Sequence, residues 1–453
     1  MLKKSHLVHA AVMVWAGACA SSSAWADNWF DIQTIALPEW GYGKLLGFIQ
    51  PVFTDIQASP ASNHQIPKPD LVGPTAQDST DLYVQRARVF VRGSMNPDVS
   101  YYVGSELGEN AYTYSFGNYG PKLIDANITV SNKLPGGNRF EIGIIRAPSA
   151  ETAMEGYMDF NFLDSFPTGI TQLMQPVFYS RNVQYASTVH NGYLVPGTDL
   201  SGNNGFRYPG VQLENWFMVA PHTEVAYGAM LGEYGRQFES STQNGPIAAA
   251  RLQFSYLLGP EKPARIFRND ITGFVWYQQA RPELNGVSNT MVRDGFGVAA
   301  RDGYLKQGAR SMKLEFYSGT GNIEAPAVYN EVPGVAPAQY DATFYPGSEN
   351  RAYGYTGSLG YFVTDHVEAV LRYDAYDRLP NLAAQERLFQ TAAAAVEYHF
   401  TPFTRLVVDY EDHRVTIPNP TAIGKPGSAP LTLAETTVDA IGNQVDIYAV
   451  LAF

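Results

Sequence analysis

The chain has 453 residues, a formal net charge of −12, 13% aromatic residues and only 16% charged residues. This acidic balance argues against nucleic acid as a partner, because nucleic-acid binding requires a basic surface. The single cysteine lies at position 19 and no run of about 18 apolar residues follows the N-terminal segment, which excludes disulfides and transmembrane helices from the rest of the chain.

Residues 1–26 have the pattern of an export signal. Lys3 and Lys4 precede an apolar stretch, and a small-x-small cleavage pattern ends at Ala26. We therefore expect the signal to be cleaved before Asp27 and the mature chain to contain no cysteine. Residues 27–44 are then a periplasmic N-terminal segment, and 45–453 form the main domain.

The main domain shows the two-residue alternation of membrane β-strands. In 310–317, for example, Leu314 and Phe316 share one face, while Lys313 and Glu315 share the other. A membrane strand needs about 9–11 residues, with apolar side chains facing lipid and polar side chains facing the lumen. The sequence therefore predicts an all-β fold, a transmembrane antiparallel β-barrel.

Short turns and longer polar loops alternate along this domain, as they do in outer-membrane barrels. Seven turns and eight loops give 16 strands, and 18 strands are possible if 181–189 pairs with a segment near 204–208. The predicted strands are 45–57, 81–95, 99–108, 121–133, 138–147, 210–220, 223–232, 246–258, 264–280, 292–303, 309–318, 350–363, 366–378, 386–400, 403–416 and 443–453.

The second predicted strand carries three arginines on one stripe. We expect Tyr83, Ala87, Val89 and Val91 to face lipid, which turns the arginine stripe toward the lumen because a charged side chain in lipid is costly. Guanidinium groups bind phosphate and carboxylate oxygens, so the stripe is either an anion-attracting surface or a set of interior salt bridges. The candidate salt-bridge partners are Glu106, Asp270, Glu397 and Asp446. The predicted pore-lining, anion-attracting residues are Arg86, Arg88, Arg92, Arg146, Arg372 and Arg405.

The longest loop, 148–209, follows the fifth strand as the third loop of the barrel. We expect it to fold inward and narrow the pore, with carboxylates that face Arg86 and Arg88 across the channel. The alternative is that its acids are solvated on the outer surface. The charged residues predicted for this constriction loop are Glu151, Glu155, Asp159, Asp164 and Arg181.

The last strand ends in an aromatic residue, Phe453, on its lipid face. This ending is similar to the signal that the barrel-assembly machinery of Gram-negative bacteria recognises. It predicts that machinery and outer-membrane lipid as partners, and the outer membrane as the location.

Motifs of enzymes are missing from the sequence. It contains no G-x-S-x-G, H-E-x-x-H or P-loop pattern, and its histidines have no metal-ligand spacing. We therefore predict no catalytic residue, no metal, no cofactor and no enzymatic activity.

Three stretches resemble the phosphate-selective porin O/P family. They are the arginine-rich 85–93, the Asp-Ala strand 122–126, and 143–148 with Gly143 and Pro148. The resemblance implies a 16-stranded, usually trimeric barrel that passes inorganic or small organic anions. Gln85, Arg146 and Ser149 depart from the family's pattern, and no lysine cluster lies in the third loop, so phosphate specificity does not follow.

The predicted function is a water-filled porin for passive diffusion of small solutes, with phosphate-like or organic anions expected. The alternative is a scaffold that sheathes or docks a separate partner, such as an electron-carrying cytochrome. A barrel of 20 or more strands would favour the sheath, because a cytochrome needs a wider bore than 16 strands allow.

Overall fold

The structure is a computed structural model, and it describes residues 43–57, 79–110, 113–115, 118–131, 134–156, 161–163, 167–174, 188–189, 192–196, 205–235, 245–259, 268–284, 287–288, 290–330, 339–439 and 441–453. The predicted export signal lies outside these residues, as does nearly all of the predicted periplasmic segment.

Sixteen antiparallel strands close into one barrel. Each strand pairs with its neighbours in the chain, and the first strand closes the ring by pairing with the last, for example Ile49 with Leu451. The predicted 16-stranded fold is confirmed. The strands are β1 Gly43–Gln57, β2 Ser79–Asn96, β3 Val99–Glu106, β4 Lys122–Val130, β5 Arg139–Arg146, β6 Arg207–Ala220, β7 Thr223–Glu233, β8 Pro246–Leu257, β9 Asp270–Ala280, β10 Met291–Asp302, β11 Arg310–Thr320, β12 Arg351–Phe362, β13 Val367–Arg378, β14 Arg387–Thr401, β15 Thr404–Thr416 and β16 Asn443–Ala452.

The two faces of the strands have opposite chemistry, as strand β8 illustrates. Phe254 and Tyr256 are more than half exposed on the outside, while Arg251, Gln253 and Ser255 are buried on the inside. A closed ring satisfies every backbone hydrogen bond within the membrane, and its apolar exterior can face lipid. The barrel wall is therefore that of a membrane protein with a polar interior.

Strand β2 contains one irregularity that the alternation did not predict. Its pairing with β1 shifts at Gln85, because Gln50 pairs with Arg86 while the next residue of β1 pairs with Val84. This β-bulge reverses the faces of the residues that precede it. Tyr83, expected to face lipid, instead packs against the buried cluster that includes Val52, and Val84 is on the exposed face.

Short turns join the strands at one end of the barrel, called here the short-turn end. In the turn between β2 and β3, the Asp98 N–H donates to Asn96 Oδ1 at 2.9 Å. Between β6 and β7, His222 has a φ of 65°, in the left-handed region that tight reversals require.

The 18-stranded alternative is not adopted. Of the segment 181–189, which would have supplied an extra barrel strand, the structure describes only Thr188–Val189. These two residues lie in a separate four-stranded sheet. That sheet also contains Gly192–Pro196, Ile323–Asn330 and Gln339–Tyr345.

Within the described part of the long loops lie four short α-helices: α1 Glu151–Met154, α2 Thr168–Met174, α3 Pro420–Ile423 and α4 Ala429–Asp439. Ala153 of α1 and Leu173 of α2 join a buried cluster with barrel residues such as Trp276 and Tyr317. Among the described residues, no helix combines the length and the apolarity needed to cross a membrane.

Candidate channel lining

The predicted arginine stripe of β2 lies on the buried, polar face of the wall. The Arg88 Nε donates to Glu106 Oε2 at 2.6 Å, and both side chains are buried. Arg86 donates to the side-chain oxygen of Gln50 at 2.6 Å, and Arg92 is buried in the same stripe. For Arg88 the contact is the salt bridge that the sequence offered as its alternative.

Two further predicted arginines, on strands β13 and β15, also contact carboxylates. Arg372 pairs with Asp374 at 3.2 Å and with Glu411 at 2.6 Å. The Arg405 Nε lies 3.1 Å from Glu397 Oε2, and Glu397 was among the partners expected from the sequence. Ion pairs of this kind offset part of the positive charge that each arginine brings to the interior.

The start of the 148–209 loop contacts the inner face of the wall on strands β8 and β11. Arg251 donates to the Ser149 carbonyl at 2.7 Å and forms an ion pair with Glu151. The Glu315 carboxylate accepts a hydrogen bond from the Glu151 N–H at 2.9 Å and another from Trp276 Nε1 at 2.9 Å. These contacts hold the first turn of α1 against inward-facing side chains.

The contacts continue beyond α1. Lys313 Nζ lies 2.6 Å from Glu155 Oε1, and Arg146 donates to the Glu155 carbonyl at 2.9 Å. Further along, the Leu163 N–H donates to Asp409 Oδ2 at 2.8 Å. The ion-pair partners of Glu151 and Glu155 are thus Arg251 and Lys313. That carboxylates of this loop face Arg86 and Arg88 across the channel stays a prediction.

The remaining predicted loop residues, Asp159, Asp164 and Arg181, lie outside the described residues. Their place in a constriction stays a prediction.

Two cavities lie on the inner side of the wall. The first, of about 530 Å³, lies beside α1, and its charged lining residues are Glu151, Glu155, Lys313, Glu315 and Arg372. The second, of about 320 Å³, lies near the short-turn end, and its inward-facing charged or titratable lining residues are Arg301, Glu368, His399 and Arg405. Carboxylates outnumber cations in the first lining, and guanidinium groups outnumber carboxylates in the second.

The sequence placed Lys313 and Glu315 on the lumen face of their strand but did not single them out as site residues, and it missed Arg251. Arg251 also occupies an inward position in the two-residue alternation of its strand, so strand parity could have named it. The contact of Arg251 with Glu151 joins residues 100 positions apart, and nothing local in the sequence indicates that pairing.

A partly buried ion-pair group lies at the short-turn end, just before β9. Arg268 lies 2.9 Å from Glu224 and 2.6 Å from Asp270. Burial alone would lower the pKa of Arg268, but the two carboxylates outweigh it and raise that pKa above the usual range. The guanidinium therefore remains charged and holds β7 and β9 together near the turn.

The terminal residue helps to join the last strand of the barrel to the first strand. The Phe453 N–H donates to the Gly47 carbonyl at 3.0 Å, and the Gly47 N–H donates to the Phe453 carbonyl at the same distance. The Phe453 side chain is 60% exposed on the outer face. Its role as an assembly signal stays a prediction.

A closed 16-stranded barrel with an apolar outside and a charged, polar inside defines an outer-membrane channel protein. The profile of the phosphate-selective porin O and P family matches residues 70–416, so the chain belongs to that family. The family and the fold are those of channels rather than enzymes.

Three solved structures are similar to this chain. This chain is similar to OmpF of Salmonella typhi, solved with daunomycin, at 9% identity and a TM-score of 0.50 over 91% of this chain and 97% of that one. It is also similar to an anion-selective porin from Comamonas acidovorans, at 12% identity and a TM-score of 0.49 over 91% of this chain and 99% of that one. The outer-membrane channel DcaP of Acinetobacter baumannii is similar at 14% identity and a TM-score of 0.49, over 91% of this chain and 97% of that one. At such identities the similarity concerns the fold alone. None of the curated proteins matches the sequence.

Proposed function

We propose that this protein is a passive outer-membrane channel that prefers small anions and is narrowed by the 148–209 loop. The observation that carries the proposal is the second cavity, whose lining contains the inward-facing Arg301 and Arg405 against the single carboxylate of Glu368. A lining with excess positive charge concentrates anions and repels cations. The family's description as phosphate-selective supports the same class of solute.

The proposed constriction depends on the anchored start of the loop. The contacts of Glu151 with Arg251 and of Glu155 with Lys313 hold this segment on the inner face of the wall. A loop held in this way reduces the cross-section that is open to solutes. The six arginines predicted from the sequence remain part of the proposed lining, although ion pairs offset the charge of several.

A homotrimer is the proposed assembly, in keeping with the resemblance noted in the sequence. The sheath alternative gains no support from the fold. The barrel has 16 strands rather than 20 or more, and side chains such as Phe162 and Tyr448 pack together within it.

Planar-bilayer recording of the purified protein tests the proposal. We expect discrete ohmic conductance steps, and a reversal potential displaced toward the chloride equilibrium potential in a KCl gradient. Replacing Arg301 by Gln should move that potential toward zero. The matched control is Arg414→Gln, because Arg414 lies on the outer face with its side chain 72% exposed.

Silent bilayers would contradict the channel. Cation preference, or an unchanged potential in the Arg301 variant, would contradict the proposed anion-selective lining.

A further inference from the structure

Two carboxylates face each other on the inner wall near the short-turn end. Glu368 of β13 and Glu397 of β14 are direct partners in the register of the two strands, and both are buried. Like charges directly opposite each other destabilise an antiparallel pair, and a low local dielectric strengthens the repulsion. The Arg405 guanidinium, 3.1 Å from Glu397, offsets one of the two charges.

An imidazole points at the same two carboxylates. His399 lies two residues beyond Glu397 on β14, so both side chains share the inner face. Its Nε2 lies 3.4 Å from Glu368 Oε2 and 3.4 Å from Glu397 Oε2. This nitrogen is buried and has no hydrogen-bond partner within the described structure. One donor atom from each of the three side chains lies within 4.8 Å of the other two.

Tyr304 offers a hydrogen-bond partner to the other ring nitrogen, His399 Nδ1. Its hydroxyl donates to the Pro402 carbonyl at 3.2 Å, which leaves the hydroxyl oxygen to accept from His399 Nδ1 at 3.5 Å. With the hydrogen on Nδ1, the lone pair of Nε2 is directed at two carboxylate oxygens. That arrangement is repulsive unless a positive species lies between the nitrogen and the oxygens.

We propose that Glu368, Glu397 and His399 bind one divalent transition-metal cation of the Zn²⁺ type. One imidazole nitrogen and two carboxylate oxygens form a donor set that such cations accept, and a hydrogen bond to the other ring nitrogen is the usual support for a metal-binding histidine. Glu368 and His399 also line the cavity of about 320 Å³, where water can complete the coordination shell.

The surrounding charges affect how strongly the site binds a cation and what net charge the cavity keeps. The guanidinium groups of Arg301 and Arg405 repel a cation, so the site is expected to bind more weakly than a structural zinc site. The two carboxylates neutralise the bound ion, so the cavity keeps its excess of positive charge. The site is therefore compatible with an anion-preferring channel, but it does not depend on one.

Zinc titration of the purified, untagged protein in detergent tests the site. Metal is first removed with a chelator, and Zn²⁺ is then titrated by calorimetry in a non-coordinating buffer at neutral pH. We expect one Zn²⁺ per chain, and an affinity that falls at least about tenfold in His399→Gln and in Glu368→Gln. Heat-modifiable migration on gels shows that each variant is folded.

His413→Gln is the matched control. His413 is also a buried histidine of the inner wall, but its Nε2 lies 3.9 Å from one carboxylate, Glu411, which is already paired with Arg372. We expect this variant to bind Zn²⁺ as the wild type does. Equal affinity in all three variants would overturn the proposal.

A second measurement uses only the wild-type protein, so it does not depend on the folding of any variant. Crystals soaked in Zn²⁺ should show an anomalous peak at the zinc edge, within coordinating distance of His399 Nε2. A soaked crystal with no peak at that nitrogen would mean that a proton on His399, rather than a metal ion, relieves the repulsion, and the proposal would be wrong.

Discussion

The Arg293 guanidinium donates a hydrogen bond to the Leu173 carbonyl at 2.8 Å, which joins the barrel wall to the C-terminus of α2. The same group donates to the carbonyls of Thr320, Gly321 and Asn322 at 2.8–3.0 Å. A cation at a helix C-terminus satisfies carbonyls that have no partner within the helix. One buried side chain of β10 therefore holds two long loops together on the inner wall.

Removing this guanidinium should loosen the 148–209 loop. In Arg293→Ala the carbonyls of Leu173 and of residues 320–322 lose a buried donor. Each oxygen left unsatisfied costs about 1–3 kcal/mol. We expect a lower unfolding temperature, together with larger and noisier single-channel conductance because the proposed constriction is less firmly held. Thermal denaturation and bilayer recording measure the two effects.

Arg414→Ala is the control for this prediction. Arg414 pairs with Asp412 on the outer face, where an exposed ion pair contributes only about 0–1 kcal/mol. The unfolding temperature and the conductance of Arg414→Ala should match those of the wild type. Equal noise in the two variants would show that Arg293 does not anchor the loop.

A glycine in β5 allows two strand backbones to approach closely. Gly143 has a φ of 138°, and a Cβ at this position would lie 2.8 Å from the Asn127 backbone on the neighbouring strand. Gly143→Ala should therefore destabilise the barrel by about 1–3 kcal/mol. Gly273→Ala in β9 is the control, since a Cβ there would meet nothing within 4 Å.

Urea titration of both glycine variants in detergent gives the comparison. We expect the unfolding midpoint to fall for Gly143→Ala and to stay near the wild type for Gly273→Ala. Equal midpoints would mean that the backbone at Gly143 can relax without cost.

The sequence predicted the barrel well because two local signals agree throughout it. Side-chain alternation gives the faces, and turn residues give the strand ends, so all 16 strands were placed. The bulge at Gln85 escaped, because a single inserted residue leaves the local composition unchanged. Tyr83 was therefore assigned to the wrong face.

The site was less predictable because its contacts are not local. Arg251 meets Glu151 across 100 positions of the chain, and the pairing of Glu368 with Glu397 depends on the register of β13 and β14. Histidine spacing gave no metal signal, because only one ligand of the proposed site is a histidine.

The ion pair of Arg88 and Glu106 separates a structural role from an anion-attracting one. Arg88→Met alone leaves the Glu106 carboxylate buried without this partner, and breaking a buried pair costs about 3–5 kcal/mol. Adding Glu106→Gln removes that charge but keeps an acceptor for the N–H groups of Ala87 and Gly108. We expect the double variant to recover much of the lost stability.

The same double variant tests the selectivity predicted for the arginine stripe. It removes one positive and one negative charge, so a paired Arg88 should leave the reversal potential in a KCl gradient almost unchanged. A clear loss of anion preference would instead show that Arg88 attracts anions despite its contact with Glu106.

The Phe453 side chain is predicted to act in assembly rather than in stability. Its backbone bonds to Gly47 persist in Phe453→Ala, and its ring is largely exposed, so the variant should refold in detergent as the wild type does. In cells, we expect a several-fold smaller fraction of heat-modifiable protein in the outer membrane. Phe400→Ala is the control, because Phe400 is 58% exposed at the same end of the barrel but is not terminal. If both variants reached the membrane in equal amounts, the terminal ring would not be the assembly signal.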